Sequence, residues 1–223
     1  MNRRKFIATS IATGAAATLT SSTASAADKK SVKILGVSCS PRKGKTTATS
    51  VKVALDAAKE VDPRIRVDML DLGGMEIPGW TPGKTPQTKD DFNSVLPMLH
   101  DPVPDGLIIG SPSYFRSMSA LCKAFLERLV VLRKPKLLLA DTPVGVLAVG
   151  AYRNGGQELV IEQIQTVLLC HEVMVVGGKP GAHQGATLWN AYDDDIMKDE
   201  FGIESAKKLG VRVAEAALRL AQK

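Results

Sequence analysis

The sequence predicts an α/β protein built on a doubly wound, five-stranded parallel sheet with the strand order 2-1-3-4-5. Short apolar runs alternate along the chain with stretches whose apolar residues recur at helical spacing. Continuous apolar runs are typical of strands that are buried on both faces, and right-handed crossovers then place helices on both sides of the sheet. The length of 223 residues suits one such domain, which we expect to span residues 27–223.

Each predicted element rests on its own apolar pattern. The predicted strands are residues 32–38, 65–72, 105–112, 144–150 and 172–178. Helical stripes predict helices near residues 46–60, 118–129, 156–170 and 202–221. Two segments rich in Gly and Pro, residues 73–90 and 177–195, interrupt the alternation and are predicted to be long loops, which are usually functional or mobile.

Residues 1–26 have the pattern of an export signal. Three basic residues at 3–5 precede a weakly apolar stretch without acids, which closes with the small-x-small sequence ASA that signal peptidase cuts. The paired arginines resemble a twin-arginine signal, which predicts a periplasmic protein and hints at a cofactor inserted before export. A membrane anchor is the alternative, but the stretch is short and polar for a bilayer span.

Charge and cysteine content narrow the classes of partner. The chain has a net charge of +6, of which the leader contributes three, and the remaining +3 gives no basis for a nucleic-acid surface. Cys39, Cys122 and Cys170 form neither a disulfide framework nor a metal-ligand motif. Cys122 and Cys170 lie on apolar helical stripes and are predicted to be small core residues.

The stretch "CSPRKGKTT" at residues 39–47 follows the first predicted strand and ends like a nucleotide-binding P-loop. A P-loop needs glycine at position 39, where this chain has Cys39. It also needs a magnesium-binding aspartate at the end of a later strand, and predicted strands three and four end without one. A P-loop nucleotide hydrolase is therefore the weakest hypothesis for the function of this stretch.

A compact phosphate cradle is the better interpretation of the same stretch. The amides and the dipole of the following helix favour an anion at this point. No acidic residue lies between Gly36 and Leu55, so we expect no local repulsion. The alternative is a solvated basic turn, which suits Lys43. The predicted phosphate ligands are the hydroxyls of Ser40, Thr46 and Thr47 and the cations of Arg42 and Lys45.

Two further loops are predicted to share the same edge of the sheet, because ligands of doubly wound folds bind where the strand order reverses. The loop after strand three contains Tyr114 and Phe115, which suit the edge of a flat ring or else cover the next helix end. The loop after strand four brings Arg153 and Asn154, followed by two glycines that permit close backbone approach.

The three loops together resemble the flavodoxin-like NAD(P)H-dependent FMN reductase family, and especially its iron–sulfur flavoprotein branch. "ILGVSCSPRKGKTT" is similar to that branch's phosphate loop, I-L-G-I-S-G-S-P-R-K-G-G-N-T. "DGLIIGSPSYFRSMSALCKAFLERL" is similar to its flavin loop and following helix, and "GGQE" at 155–158 matches its third loop. The match covers most of residues 31–220.

This resemblance implies FMN as the cofactor. It implies that Ser40, Arg42, Thr46 and Thr47 lie beside the flavin phosphate. It also implies a homodimer or homotetramer with the flavins near subunit contacts. The flavin-ring loop that it implies consists of Pro112, Ser113, Tyr114, Phe115 and Arg116.

Four departures of the chain from the family pattern matter. Cys39 replaces the usual glycine, and Thr46 replaces the usual asparagine. Arg116 stands where glycine is common, so a long cation would favour the reduced, anionic flavin. The cysteines that cluster after strand two in the iron–sulfur branch are missing from residues 76–92, so we expect no iron–sulfur cluster and no other metal.

The expected function is an exported FMN-dependent oxidoreductase that passes electrons to a quinone, a flavin or a similar acceptor. NAD(P)H is the donor that the resemblance implies, although an exported enzyme would meet little of it. The alternative is a flavodoxin-like electron carrier without its own substrate. We name no catalytic side chain. His183 and Tyr192, in the second long loop, are candidates for the substrate side, and His183 also fits an ordinary loop histidine.

Overall fold

A computed structural model describes residues 30–84, 89–191 and 193–222. The predicted export leader at residues 1–26 and the candidate Tyr192 lie outside the described residues.

The sheet has the predicted order. Its strands are β1 (Val32–Ser38), β2 (Ile65–Asp71), β3 (Gly106–Tyr114), β4 (Ser117–Met118), β5 (Pro143–Gly150), β6 (Met174–Val175) and β7 (Ala186–Trp189). They run in the order β2-β1-β3-β5-β6, with β7 beside β5. All pairs are parallel except β3–β4, which forms a short hairpin.

The fifth position of the sheet is shared by two short strands, where the sequence predicted one strand at 172–178. β6 pairs with the beginning of β5, where Met174 is opposite Pro143. β7 pairs with its end, where Ala186 is opposite Leu147. Residues 177–185 fold back on themselves between the two strands and bring Gly177 next to the His183 carbonyl. A side chain at position 177 would collide with that carbonyl. The prediction of an unbroken loop at 177–195 is therefore wrong over Ala186–Trp189.

Five α-helices cover the two faces of the sheet in the described part of the chain. They are α1 (Thr46–Lys59), α2 (Phe92–His100), α3 (Ala120–Arg128), α4 (Gln157–Leu169) and α5 (Glu200–Leu220). The short helix α2 was not predicted. It has only nine residues, and it contains Pro97, which normally indicates the end of a helix. No helix within the described ranges is long and apolar enough to cross a membrane.

The core consists of two apolar layers, one on each face of the sheet. Helices α1 and α5 pack on the layer that contains Ile34, and α2, α3 and α4 pack on the layer that contains Leu35 and Val37. Helix α1 lies so close to the sheet that a Cβ atom added at Gly36 or Gly110 would come within 2.6 or 2.5 Å of the Val51 side chain. This close packing holds the first turn of α1 at the carboxyl ends of β1 and β3.

Candidate functional site

The β1–α1 turn, residues 39–45, is braced from outside by the end of β2. The Ser40 hydroxyl accepts a hydrogen bond from the Arg42 amide at 3.1 Å. Gly44 has a φ of 67°, a conformation that favours glycine. The Asp71 carboxylate accepts hydrogen bonds from the amides of Gly44 at 2.7 Å and Gly73 at 3.2 Å. The shape of the turn therefore depends on a residue that lies far from it in sequence.

The glycine pair at 73–74 completes this bracing. A side chain at Gly73 would collide with the Lys43 backbone, so only glycine allows the two segments to approach. The Gly74 amide donates to the Pro41 carbonyl at 3.2 Å. The beginning of the predicted loop at 73–90 is thus part of the site, which the sequence did not reveal.

Helix α1 begins without a capping side chain. Lys45 is its N-cap residue and makes no side-chain cap, and no acidic residue lies in the first turn. Helices α2 and α4 also begin without a side-chain cap, whereas the Ser119 hydroxyl caps α3 and the Asp199 carboxylate caps α5. Uncapped first-turn amides form an anion site together with the helix dipole. The buried residues Thr46 and Thr47 lie in this first turn, as predicted.

Ser38 adds a polar group that the sequence analysis missed. Its hydroxyl is buried and has no hydrogen-bond partner within the described residues. Ser38 lies two residues after Gly36 in β1, so its side chain is on the α1 face of the sheet. Because buried polar groups are nearly always hydrogen-bonded, this hydroxyl is a donor available to an anion or to water at the α1 N-terminus.

Both predicted cations lie at the turn, but they contact an acid from another part of the chain. Arg42 Nη1 donates to both carboxylate oxygens of Asp194 at 2.8 Å, and Lys45 Nζ lies 3.8 Å from the same group. The expectation that a phosphate would meet no local repulsion is therefore wrong. No acidic residue is close to the turn in sequence, but carboxylates lie beside it in the folded protein. Folding brings Asp71 and Asp194 to the turn.

The β3–β4 turn is a two-residue hairpin turn. Phe115 and Arg116 have φ values of 50° and 64°, and this pair of positive values matches the twist of a tight hairpin. The Phe115 side chain is wholly exposed and Tyr114 is 40% exposed. Phe115 therefore does not cover the end of α3, which was the alternative to the ring-binding prediction. Pro112, within β3, is buried, and Ser113 is half-buried.

The β5–α4 loop, residues 151–156, packs directly against this hairpin. The Ser113 hydroxyl donates to the Gly155 carbonyl at 2.6 Å. A side chain at Gly156 would lie 2.8 Å from the Arg116 Cα atom, and Arg116 Nη1 is 3.4 Å from the Asn154 carbonyl. A cavity of about 350 Å³ opens beside the two loops, and Arg116 and Arg153 line it.

The three predicted loops therefore meet at the carboxyl ends of β1, β3 and β5, which we call the rim. The Cys39 amide donates to the Gly110 carbonyl of β3 at 2.8 Å. The Ser119 hydroxyl, which follows the β3–β4 hairpin, donates to the Cys39 carbonyl at 2.6 Å and links the first two loops. Arg153 lies on the Trp189 ring at 4.4 Å and links the third loop to the end of β7. His183 is exposed and precedes β7, so the structure does not bring it to the rim.

The cysteines occupy two kinds of environment. Cys39 and Cys122 are buried, and Cys39 belongs to the same apolar layer as Val37, on the side of α3. Burial raises the pKa of the Cys39 thiol well above its usual value, and the neighbouring Cys122 and the charge of Asp71 add to this. The prediction that Cys170 is a core residue is wrong, because Cys170 follows the last residue of α4 and is exposed.

A profile of the NADPH-dependent FMN reductase family matches residues 32–187. The chain belongs to this family, so it is a flavin-dependent oxidoreductase and its cofactor is FMN. The rim fits that group. The uncapped α1 amides, the unpaired Ser38 hydroxyl and the cations of Arg42 and Lys45 supply donors and positive charge for a phosphate monoester.

Relatives at the level of sequence are named iron–sulfur flavoproteins. One from Methanocaldococcus jannaschii is 36% identical over 192 residues, covering 82% of this chain and 96% of that protein. One from Methanosarcina thermophila is 32% identical over 184 residues, covering 80% and 93%. An NAD(P)H dehydrogenase (quinone) from Archaeoglobus fulgidus is 29% identical over 119 residues, covering 52% and 61%.

The cysteine content of this chain differs from what an iron–sulfur cluster requires. Cluster ligation by cysteine alone takes four thiolates, and this chain has three cysteines in all. Within the described residues, no group of three or more His, Cys, Asp or Glu side chains could hold a metal ion.

Solved structures support the fold. The chain superposes on RosB with a TM-score of 0.66 at 14% identity, over 86% of this chain and 81% of that one. It superposes on a flavodoxin, the WrbA-like protein of Agrobacterium tumefaciens, with a TM-score of 0.56 at 16% identity, over 85% and 99%. The architecture is therefore flavodoxin-like, as predicted.

Proposed function

We propose that the protein holds FMN at the rim and passes electrons from a reduced nicotinamide to a quinone or to another flavin. The observation that carries this proposal is the uncapped first turn of α1 at the meeting point of three loops. FMN supplies the hydride and electron chemistry, and the chain binds the cofactor and controls access to it. The family description supports NADPH as donor, and the relative from Archaeoglobus fulgidus supports a quinone as acceptor.

The phosphate and the ring of FMN would use different loops. Ser40, Thr46 and Thr47 surround the α1 N-terminus, where hydroxyls and amides would receive the phosphate. The β3–β4 turn and the β5–α4 loop would border the ring, and the Arg116 guanidinium there would favour its reduced, anionic form. The open cavity beside Arg153 would admit the second substrate.

Purification of the protein tests the cofactor assignment. We expect a yellow protein with a flavin spectrum that releases FMN on denaturation. A colourless protein that takes up no added FMN would overturn the proposal. Oxidation of NADPH is then followed with and without a soluble quinone under anaerobic conditions. Continuous consumption of NADPH only when the quinone is present supports the enzyme. Consumption that stops after one equivalent of NADPH per flavin, even with the quinone present, supports an electron carrier.

Substitutions in the β1–α1 turn test the phosphate site. Arg42→Ala and Thr47→Ala should each weaken FMN binding about tenfold, because each removes a charge-assisted or buried hydrogen bond to the phosphate. Riboflavin, which lacks the phosphate, should bind all forms equally. Lys43→Ala is the matched control, because Lys43 is an exposed cation in the same turn. Unchanged FMN affinity in both variants would refute the assignment.

Exposed aromatic side chains at the rim suit a contact between copies of the chain. Phe115 is an apolar ring that is fully exposed at the rim, and Tyr152 on the neighbouring loop is also exposed. Such residues suit contact with another macromolecule. We propose that this contact is with another copy of the chain, in a homodimer or homotetramer, which light scattering on the purified protein would test.

A further inference from the structure

The described part of the β7–α5 segment, residues 190–191 and 193–199, approaches the β1–α1 turn across the rim. It is anchored at both ends. The Trp189 indole donates to the Ala151 carbonyl at 2.9 Å, and the Trp189 amide donates to the Asp199 carboxylate at 2.7 Å. Ile196 is buried in the core. The segment is therefore a fixed part of the fold, and its contacts at the rim are part of the site.

The acidic run at 193–195 divides its contacts between two places. Asp193 pairs with Lys198 at 2.8 Å, and Asp195 accepts a hydrogen bond from the Met197 amide at 3.3 Å. Both contacts are within the segment. Asp194 instead points across to the β1–α1 turn and meets Arg42 at 2.8 Å and Lys45 at 3.8 Å.

The Asp194 carboxylate thus contacts both cations that the sequence assigns to the flavin phosphate. Arg42 Nη1 donates to both of its oxygens. A carboxylate and a phosphate offer a guanidinium the same kind of partner, which is a pair of anionic oxygens. Asp194 has a φ of 57°, a left-handed conformation that Asp and Asn adopt more readily than other side chains.

We propose that Asp194 competes with the FMN phosphate for Arg42 and Lys45, and so limits the preference of the protein for FMN over riboflavin. The inference rests on the proposed function. A phosphate monoester carries a charge of about −2, so it attracts the two cations more strongly than one carboxylate does. FMN binding then exchanges the Asp194 pair for phosphate pairs, and the displaced carboxylate stays nearby and repels the phosphate.

A positioning role for Asp194 predicts the opposite sign. If the carboxylate held Arg42 in the orientation that the phosphate needs, its loss would weaken FMN binding. The direction of the change in affinity therefore separates competition from positioning.

The test compares Asp194→Asn with the wild type. Asparagine keeps the shape of the side chain and tolerates the left-handed backbone, so the variant removes only the charge. The mature proteins are titrated with FMN and with riboflavin, and flavin fluorescence reports binding. We expect Asp194→Asn to bind FMN about fivefold more tightly, the upper range for an exposed ion pair, with riboflavin affinity unchanged.

Two controls isolate the mechanism. Asp193→Asn removes a neighbouring charge that pairs with Lys198 and should leave FMN affinity unchanged. In an Arg42→Ala background, Asp194→Asn should have less than about half of its effect, because the contested cation is gone.

Three results would overturn the inference. They are equal or weaker FMN binding by Asp194→Asn, an equal gain by Asp193→Asn, and an equal gain in riboflavin affinity. Each leaves the proposed function intact as long as the wild type binds FMN. If neither wild type nor variant binds FMN, the proposed function fails and the inference fails with it.

Discussion

Cys39 joins the β1–α1 turn to the protein core. Its amide donates to the Gly110 carbonyl, and its carbonyl accepts a hydrogen bond from the Ser119 hydroxyl at 2.6 Å. The same hydroxyl caps α3 by accepting from the Cys122 amide at 3.0 Å. Cys39 and Cys122 are therefore connected through one serine at the point where the first two loops meet. The Cys39 side chain fills core space where the family has glycine.

The cysteine environments predict how the three thiols react. Cys39 and Cys122 are inaccessible, and burial keeps the Cys39 thiol protonated at neutral pH, so neither should react in the native protein. Cys170 is exposed and should react. With a chromogenic disulfide reagent, we expect one fast thiol in the folded protein and three after denaturation. The Cys170→Ser variant should lose the fast phase, and any fast thiol that remains in that variant would contradict the assignment.

The positions of the proposed phosphate ligands were predictable from the sequence, and the residues that brace the turn around them were not. Ser40, Arg42 and Thr47 belong to one continuous stretch, so their convergence follows from a strand-to-helix turn. Asp194 is 152 residues from Arg42 in sequence, and Asp71 is 27 residues from Gly44. Contacts at such separations depend on the full topology, and no local pattern reports them.

Helix α3 holds the described parts of the β2–α2 loop, residues 72–84 and 89–91, against the body of the protein. Arg128 at its end donates to the Asp90 carboxylate at 2.8 Å and to the Pro78 carbonyl at 3.3 Å. Its guanidinium also lies over the Phe92 ring at 4.7 Å. The side chains of Arg128 and Asp90 are only 10% and 14% exposed. One arginine thus ties the loop to the first turn of α2.

Removal of this arginine should destabilise the protein strongly. Arg128→Met leaves a largely buried Asp90 carboxylate without its cation, which costs about 3 kcal/mol for pairs of this kind. The free energy of unfolding is measured with urea at pH 7. Lys123→Met is the matched control on the same helix, because its exposed pair with Glu127 should contribute less than about 1 kcal/mol. Equal losses in the two variants would contradict a special role for Arg128.

The same pair predicts a dependence on pH. The hydrogen bond from Arg128 is the main cause that holds the pKa of Asp90 below its usual value. The pair therefore contributes its full stability above about pH 5, where Asp90 is ionised in the folded and unfolded chains alike. The difference between wild type and Arg128→Met should shrink as the pH falls below that value.

Element prediction succeeded where apolar runs are long and failed where they are short. β1 has the predicted bounds, and β5 and α5 begin or end within two residues of theirs. These elements are buried on one or both faces, so their patterns are strong. β6 and β7 have two and four residues, and each pairs with only half of β5. Such strands depend on a partner that the sequence pattern does not show.

At the scale of the molecule, the strand order decides where the site lies. β1 and β3 are neighbours, and the chain leaves them in opposite directions along the sheet, which opens a crevice at their carboxyl ends. The order followed from right-handed crossovers and from the chain length, so the position of the site was predictable before its detailed contacts were.

Export is the prediction that most affects the choice of electron donor. Paired arginines at positions 3 and 4, followed by "ASA" at 24–26, predict passage through the twin-arginine route and cleavage before Ala27. Replacement of both arginines by lysine keeps the charge, so a loss of export would report recognition of the arginine pair itself. We expect the wild type in the periplasmic fraction with Ala27 as its first residue, and the lysine variant at full length in the cytoplasm.

The flavin content of the two forms then separates cofactor loading from transport. Because the twin-arginine route carries folded proteins, the retained lysine variant should contain FMN at the same ratio as the exported wild type. An uncleaved wild-type protein in the membrane fraction would instead support the anchor. A cleaved, FMN-loaded protein outside the cytoplasm would be separated from the NADPH pool, and its flavin would then have to be reduced by a periplasmic donor.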